Sequence, residues 1–310
     1  MKVGFIGLGS LGRQLAASLL RAGFPLTVHD RETTAVAALV AAGASAAASP
    51  REVAEASDCV ITCLPSSQAV SQVVAGADGV IEGLRRGGTW IEMSTNDAHE
   101  IERLATLAAA NGIDTLECPV TGGVHKAAAG EITVIAAGDE AVFAAHLAVL
   151  EAMGSPVIHV GPLGKASVIK VITNMLAFIH LVAAGDALML AKRGGLPLET
   201  AYEVIRASSG NSFVHETESQ MILNGSYDIG FTLDLAAKDL GFALDLGREF
   251  GVPLELAELV GATFNRAREQ YGGAAQSSQV VKLLEDALHV DLRAPGFPAR
   301  LGGTPPAREG

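Results

Sequence analysis

The sequence predicts an α/β domain built on a parallel-rich sheet, joined by a long helix to an all-α C-terminal domain. Three observations carry this. An apolar strand pattern at the N-terminus runs into a glycine-rich turn and then a helix pattern. Strand and helix signals alternate as far as Val160. Beyond Gly164 the strand signals disappear. Alternation of this kind packs parallel strands with helices on both faces, whereas consecutive helices form a layer of their own. The expected boundaries are 1–162 for the α/β domain, 163–292 for the helical domain and 293–310 for a flexible tail rich in proline, glycine and arginine.

Lys2 to Ile6 reads as the first strand, followed by Gly7-Leu8-Gly9-Ser10-Leu11-Gly12 and a helix over Arg13 to Ala22. Gly23-Phe24-Pro25 breaks that helix, and Leu26 to His29 reads as a second strand ending at Asp30. This is a Rossmann βαβ unit with G-x-G-x-x-G in its turn. Gly7 permits the tight turn, Gly9 lets a pyrophosphate approach the backbone, and Gly12 lets helix and strand pack closely. The helix N-terminus then offers N–H groups to the phosphates. An acid about 20 residues past such glycines takes the ribose hydroxyls, so Asp30 favours NAD. Arg31 directly after it can hold a 2′-phosphate, which leaves NADP open.

The alternation continues with a strand from Cys59 to Leu64, stopped by Pro65-Ser66-Ser67, and another from Thr89 to Met93, stopped by Ser94-Thr95-Asn96-Asp97. Loops at the C-terminal ends of parallel strands face the ligand crevice, so both are candidate cofactor walls. Ser66 and Asp97 are also good helix N-caps, and the two roles are compatible. Thr115 to Cys118 is a short strand, and Glu131 to Ala136 resumes a β pattern. Between them Thr121-Gly122-Gly123 can present N–H groups and a hydroxyl to a carboxylate, or serve as a plain hairpin connection. Val157 to Val160 closes the α/β part.

Gly161-Pro162-Leu163-Gly164 marks a turn, and the apolar run after Lys165 has helical periodicity. Lys170 and Asn174 lie one turn apart on one face, in a stripe continuing through Ala177, Leu181 and Ala184. Desolvation pulls a lysine down from its ordinary pKa of about 10.4, towards a form that exchanges protons. The bland alternative is a lysine snorkelling to the helix edge while Asn174 bonds a loop. Helices are expected over 166–193, 199–207, 216–223, 233–250 and 254–270.

The net charge of −12, with no basic run, argues against nucleic acid or an anionic membrane as the main partner. Cys59, Cys63 and Cys118 have no metal-ligand spacing and read as buried thiols of a reduced, cytoplasmic protein. No signal peptide pattern precedes the first strand. The run from Val168 to Leu190 is long enough to span a bilayer, but Lys170, Asn174, His180 and Asp186 interrupt it, and it reads as a helix buried inside the protein.

Together these residues resemble the β-hydroxyacid dehydrogenase family. Gly4-Phe5-Ile6-Gly7-Leu8-Gly9-Ser10-Leu11-Gly12 is similar to its N-terminal signature, with Leu11 where methionine is frequent. Glu117-Cys118-Pro119-Val120-Thr121-Gly122-Gly123 resembles its Asp-Ala-Pro-Val-Ser-Gly-Gly substrate loop. Gly161 to Lys170, with Asn174, resembles its catalytic helix, although Thr173 stands where a second asparagine is common. Phe231 and Lys238-Asp239-Leu240-Gly241-Phe242-Ala243-Leu244 resemble its late motif. The resemblance covers residues 1 to 290 and implies NAD or NADP as cofactor, a small β-hydroxy acid as substrate, and a homodimer or homotetramer. It implies cofactor contacts at Leu64, Pro65, Thr95, Phe231 and Lys238, and a carboxylate loop at Thr121, Gly122 and Gly123. Lys170 would be the acid–base and Asn174 its aligning partner. An NADPH-dependent semialdehyde reductase, an imine reductase and a cofactor-binding sensor without turnover are the alternatives. The retained Lys170 counts against the last two.

Overall fold

The first strand, β1 (Val3–Ile6), is buried along its whole length in the computed structural model, which describes residues 1–302. It sits beside β2 (Leu26–His29) on one side and β4 (Cys59–Thr62) on the other, both parallel to it. Outside these lie β3 (Ser45–Ala46), β5 (Thr89–Glu92) and β6 (Asp114–Glu117), giving the parallel order β3-β2-β1-β4-β5-β6. The strand order reverses at β1, and the ends of β1 and β4 form the switch point where such sheets bind ligands. Beyond β6 the direction changes. β8 (Thr133–Gly138) runs antiparallel to both β6 and β7 (Val120–Thr121), while β9 (Val157–His159) pairs parallel to β8.

Side chains alternate between the two faces of this sheet, and each face has its own core. Phe5, Ile61, Ile91 and Leu116 pack on one side with Leu15 and Leu19 of α1 (Gly12–Arg21) and with Val149 and Leu150 of α8 (Glu140–Met153). The helix α2 (Thr33–Ala41) adds Leu39. Ile6, Val60 and Trp90 point to the other side. There they meet Val53 of α3 (Pro50–Glu55), Val70 and Val74 of α4 (Ser67–Ala75), Val80 of α5 (Val80–Gly83), and Ile101 and Leu104 of α6 (Ala98–Ala110). Ser66 and Asp97 cap α4 and α6, accepting from Ala69 N–H at 3.2 Å and Glu100 N–H at 3.0 Å. A six-residue helix, α7 (Val124–Ala129), separates β7 from β8.

The chain divides into two compact units, Met1–Lys170 and Val171 onward, with α9 (Lys165–Arg193) starting in the first and continuing through the second. The second unit adds α10 (Leu198–Arg206), α11 (Phe213–Asn224), α12 (Leu233–Glu249), α13 (Glu255–Tyr271), a 3₁₀ turn over Ser277–Val281 and α14 (Lys282–Leu288). Its core gathers Phe178, Leu181 and Leu188 of α9 with Ile222, Leu240 and Phe264. Phe178 meets Phe264 edge-on with ring centroids 5.3 Å apart. The stripe expected on α9 is partly or wholly buried, whereas Ile169, Ile172, Leu176 and Leu190 are exposed. Of the most apolar 18-residue stretch of α9, 33% is buried, so the core takes one stripe of the helix and not its whole circumference. Length and composition alone would let this helix cross a membrane.

From Arg293 to Pro298 the chain packs onto the core of the second unit, of which it is part. Ala294 N–H donates to Leu223 O at 3.0 Å, and Phe297 sits edge-on to Tyr202 at 5.0 Å. Arg293 pairs with the buried Glu285 at 3.0 Å. Residues 303–310 of the expected tail lie outside the described residues.

Candidate active site

The glycine-rich turn is shaped by its backbone. Gly7 has φ +99°, and a Cβ there would lie 2.2 Å from Cys63 O across the switch point. A Cβ on Gly12 would lie 2.0 Å from Gly7 O, so the start of α1 presses on the turn that precedes it. A Cβ on Gly9 would meet nothing within 4 Å, which leaves an open cradle between the two tight contacts. Among the described residues no side chain caps the start of α1; Arg13 N–H donates to Gly9 O at 3.2 Å and Gln14 N–H to Leu11 O at 2.9 Å, so the turn from Gly9 to Gly12 is the part left to meet an anion. Ser10 and Leu11 complete the turn. Asp30, at the end of β2, accepts from Leu8 N–H at 2.5 Å and from Glu32 N–H at 2.8 Å, while Arg31 is exposed. This cradle and acid fit a dinucleotide.

The loops after β4 and β5 are tied together. Leu64 N–H donates to Ser94 Oγ at 2.8 Å, Pro65 is exposed and Thr95 is half-buried. Asn96 is 1% exposed. Its Oδ1 accepts from Asp97 N–H at 2.9 Å, and among the described residues no group accepts from its Nδ2. The sequence singles out this loop but not that amide.

A row of polar groups closes the C-terminal edge of the sheet, where Thr62, Glu92 and Glu117 are register partners. Trp90 Nε1 donates to Thr62 Oγ1 at 2.8 Å, and the Thr62 hydroxyl donates to Glu92. Ser94 N–H donates to Glu92 Oε1 at 2.7 Å. Burial pushes the Glu92 carboxyl up to about 7 against these donors, and the neighbouring Glu117 adds to the rise. Glu117, 1% exposed, accepts from Gly164 N–H at 2.9 Å, from Ser167 N–H at 2.7 Å and from the Ser167 hydroxyl. Burial raises its pKa, and these donors oppose the rise. Glu92 is the one charged residue of β5, and Glu117 opens the substrate-loop motif, but nothing local in the sequence shows what either acid binds.

Thr121 ends β7, and Gly122 and Gly123 follow with φ +127° and +86°, values that glycine adopts without strain. His125 and Lys126 behind them are half-buried, and burial followed by the Lys126 charge lowers the His125 pKa.

Lys170 is 7% exposed, the one buried lysine among the described residues. Asn174 follows one turn later on α9. Within the second unit, Asn174 Nδ2 donates to Asp239 Oδ2 at 2.7 Å, and Lys238 Nζ lies 2.7 Å from Asp239 Oδ1. Asp239 is 1% exposed, so two candidate side chains converge on one buried carboxylate. Lys238 also lies 5.0 Å from the centroid of the Phe242 ring. Phe231 is half-buried and stacks on Phe178 at 6.1 Å. The sequence does not show that Asp239 joins these candidates. Asp239 lies 65 positions from Asn174, and no local pattern links them.

A parallel sheet in Rossmann order, a glycine cradle with an acid at the next strand end, and a helical second unit define a nicotinamide-dinucleotide-dependent oxidoreductase class. Residues 2–161 match the NAD-binding domain of 6-phosphogluconate dehydrogenase. Residues 164–284 match the NAD-binding domain of NADP-dependent 3-hydroxyisobutyrate dehydrogenase. The chain is 36% identical over 293 residues to 2-(hydroxymethyl)glutarate dehydrogenase of Eubacterium barkeri, covering 94% of this chain and 97% of that one. It is 34% identical over 283 residues to L-threonate dehydrogenase of Escherichia coli K12, covering 91% and 94%. The crystal structure of 3-hydroxyisobutyrate dehydrogenase from Salmonella typhimurium superposes with a TM-score of 0.85 at 36% identity, covering 91% of this chain and 99% of that one. The chain belongs to the β-hydroxyacid dehydrogenase family, and its cofactor is NAD or NADP.

Proposed function

We propose that this protein oxidises a small β-hydroxy acid to its semialdehyde or keto acid, reversibly, with Lys170 as the acid–base. The observation that carries this is the burial of Lys170, with Asn174 one turn further along α9. The nicotinamide, when bound, supplies the hydride acceptor for the hydroxyl-bearing carbon. Gly7 to Gly12 and the start of α1 hold the phosphates, and Leu64, Pro65, Thr95, Phe231 and Lys238 complete the cofactor contacts. Thr121, Gly122 and Gly123 bind the substrate carboxylate and so fix the position of the carbon that reacts. Lys170, in its amine form, takes the hydroxyl proton in oxidation and returns it in reduction. Asn174, held by Asp239, keeps the alcohol and the lysine in line.

Asp30, fixed by two backbone N–H groups at the end of β2, favours NAD. The exposed Arg31 supports a second reading, an NADPH-dependent reductase of short semialdehydes. The boundaries at 162 and 292, a homodimer or homotetramer and a cytoplasmic location belong to the same proposal. Exposed Ile172, Leu176 and Leu190 on α9 support self-association.

The test is an assay of the purified protein with NAD⁺ and with NADP⁺ against 3-hydroxyisobutyrate, serine, glycerate, threonate, 3-hydroxypropionate and 2-(hydroxymethyl)glutarate. Turnover with NAD⁺ is the expected result. Activity confined to NADP⁺ would transfer the cofactor choice to Arg31. Silence with both, despite cofactor binding, would overturn the proposal.

A further inference from the structure

We propose that Glu117 is a positioning residue for Lys170: its buried carboxylate pins the first turn of α9 and so fixes where the lysine stands. The inference rests on the reading of Lys170 as the acid–base.

The first N–H groups of a helix have no partner inside it and must find acceptors elsewhere. A serine, threonine, aspartate or asparagine just before the helix supplies one locally, as Ser66 and Asp97 do for α4 and α6. At α9 the chain before Lys165 offers Gly161-Pro162-Leu163-Gly164, with no such side chain, and Gly164 sits at φ +85°. The acceptor comes from the sheet instead. Glu117, the last residue of β6, takes Gly164 N–H, Ser167 N–H and the Ser167 hydroxyl together. Ser167 is 3% exposed and lies three residues before Lys170 on the same face of the helix. At 1.5 Å per residue, the two Cα atoms are separated by about 4.5 Å along the axis, within one rigid turn. A shift at Ser167 is therefore passed to Lys170 almost undiminished.

Stability alone does not call for this arrangement. An exposed serine or aspartate cap would satisfy the same N–H groups without burying a carboxylate. A carboxylate that is 1% exposed, beside a second buried acid at Glu92, carries a desolvation cost that an exposed cap avoids. What it supplies in return is a link between the lysine-bearing turn and the strand that leads into Thr121, four residues beyond the end of β6. Glu117 thus ties the acid–base to the segment proposed to hold the substrate carboxylate. Proton transfer is sensitive to such placement, since a misplacement of about 1 Å can cost about 100-fold in rate.

The experiment compares wild type with Glu117→Gln, Ser167→Ala, Lys170→Ala and Glu117→Gln/Lys170→Ala. The readouts are kcat and KM for the best β-hydroxy acid, cofactor Kd by fluorescence titration, and Tm. Glu117→Gln is expected to lower kcat about 30- to 100-fold with cofactor Kd within about twofold. Ser167→Ala, which removes one donor and leaves the two N–H contacts, should lower kcat by a smaller factor in the same direction. In the Lys170→Ala background, Glu117→Gln should change the residual rate by less than about twofold, because its effect passes through the lysine. Retention of kcat within about threefold in Glu117→Gln would overturn the inference, as would an equal loss in the Lys170→Ala background. If Glu117→Gln does not fold, Ser167→Ala and its double variant with Lys170→Ala decide by the same criteria. Wild-type kcat in Lys170→Ala would remove the reading of the lysine itself, and it is told apart from the other outcomes by that single variant.

Discussion

Lys170→Ala should lose about 10²- to 10⁴-fold in kcat, the range that a positioned acid–base supplies. Alcohol oxidation needs a group that takes the hydroxyl proton as the hydride departs, and a methyl group cannot do so. Cofactor affinity should stay at its wild-type value, because the glycine cradle and Asp30 lie on β1, α1 and β2 and not on α9. Lys170→Arg is a stricter form of the same test. It keeps the positive charge but cannot release a proton at working pH, so it should be nearly as slow as the alanine variant. Steady-state kinetics beside a cofactor titration separates the two effects. A Lys170→Ala enzyme within about threefold of wild-type kcat would show that the proton goes elsewhere.

Gly12→Ala is expected to weaken cofactor binding by at least about 100-fold and to lower Tm. The added methyl would lie 2.0 Å from Gly7 O and 3.2 Å from Phe5 Cε1. The nearer obstacle is backbone, so no rotamer relieves it, and either α1 moves off β1 or the turn opens. Both displace the N–H groups that should meet the phosphates. Gly9→Ala is the informative contrast. Its methyl would meet nothing within 4 Å, so Tm should hold while cofactor affinity falls, because the methyl occupies the open cradle. Calorimetry and a binding titration on the two variants distinguish a damaged fold from a blocked site. Unchanged affinity in both would contradict the placement of the cofactor.

The parts legible in the sequence are the local ones. Strand, glycine turn, helix and Asp30 lie within the first 30 residues, and each signal constrains the next. The helices of the second unit follow from periodicity. α12 runs over Leu233–Glu249 where 233–250 is expected, and α10 over Leu198–Arg206 where 199–207 is expected. α11 begins at Phe213, three residues before its expected start, because Ser212 caps it through His215 N–H at 3.0 Å. Strand direction is less visible, since an apolar run reads the same either way. The antiparallel pairing of β8 with β6 and β7 comes from chain topology.

Least visible are the contacts that hold candidate side chains in place. Glu117 reaches Ser167 across 50 positions and Asp239 reaches Asn174 across 65, distances over which residue spacing carries no information. Burial of both acids is a tertiary property, and only the packed sheet and helices reveal it. Thr121, Gly122 and Gly123 were legible through a motif, whereas the residue that opens that motif, Glu117, has its partners on another element altogether.

The most direct test of the proposed chemistry follows the hydride itself. The β-hydroxy acid that turns over fastest would be deuterated at the carbon bearing the hydroxyl, oxidised by the wild-type protein, and the reduced cofactor examined by NMR. Deuterium at C4 of the nicotinamide, in step with formation of the semialdehyde or keto acid, is the expected result. A ring without deuterium, or a cofactor-bound protein that oxidises no β-hydroxy acid, would contradict it.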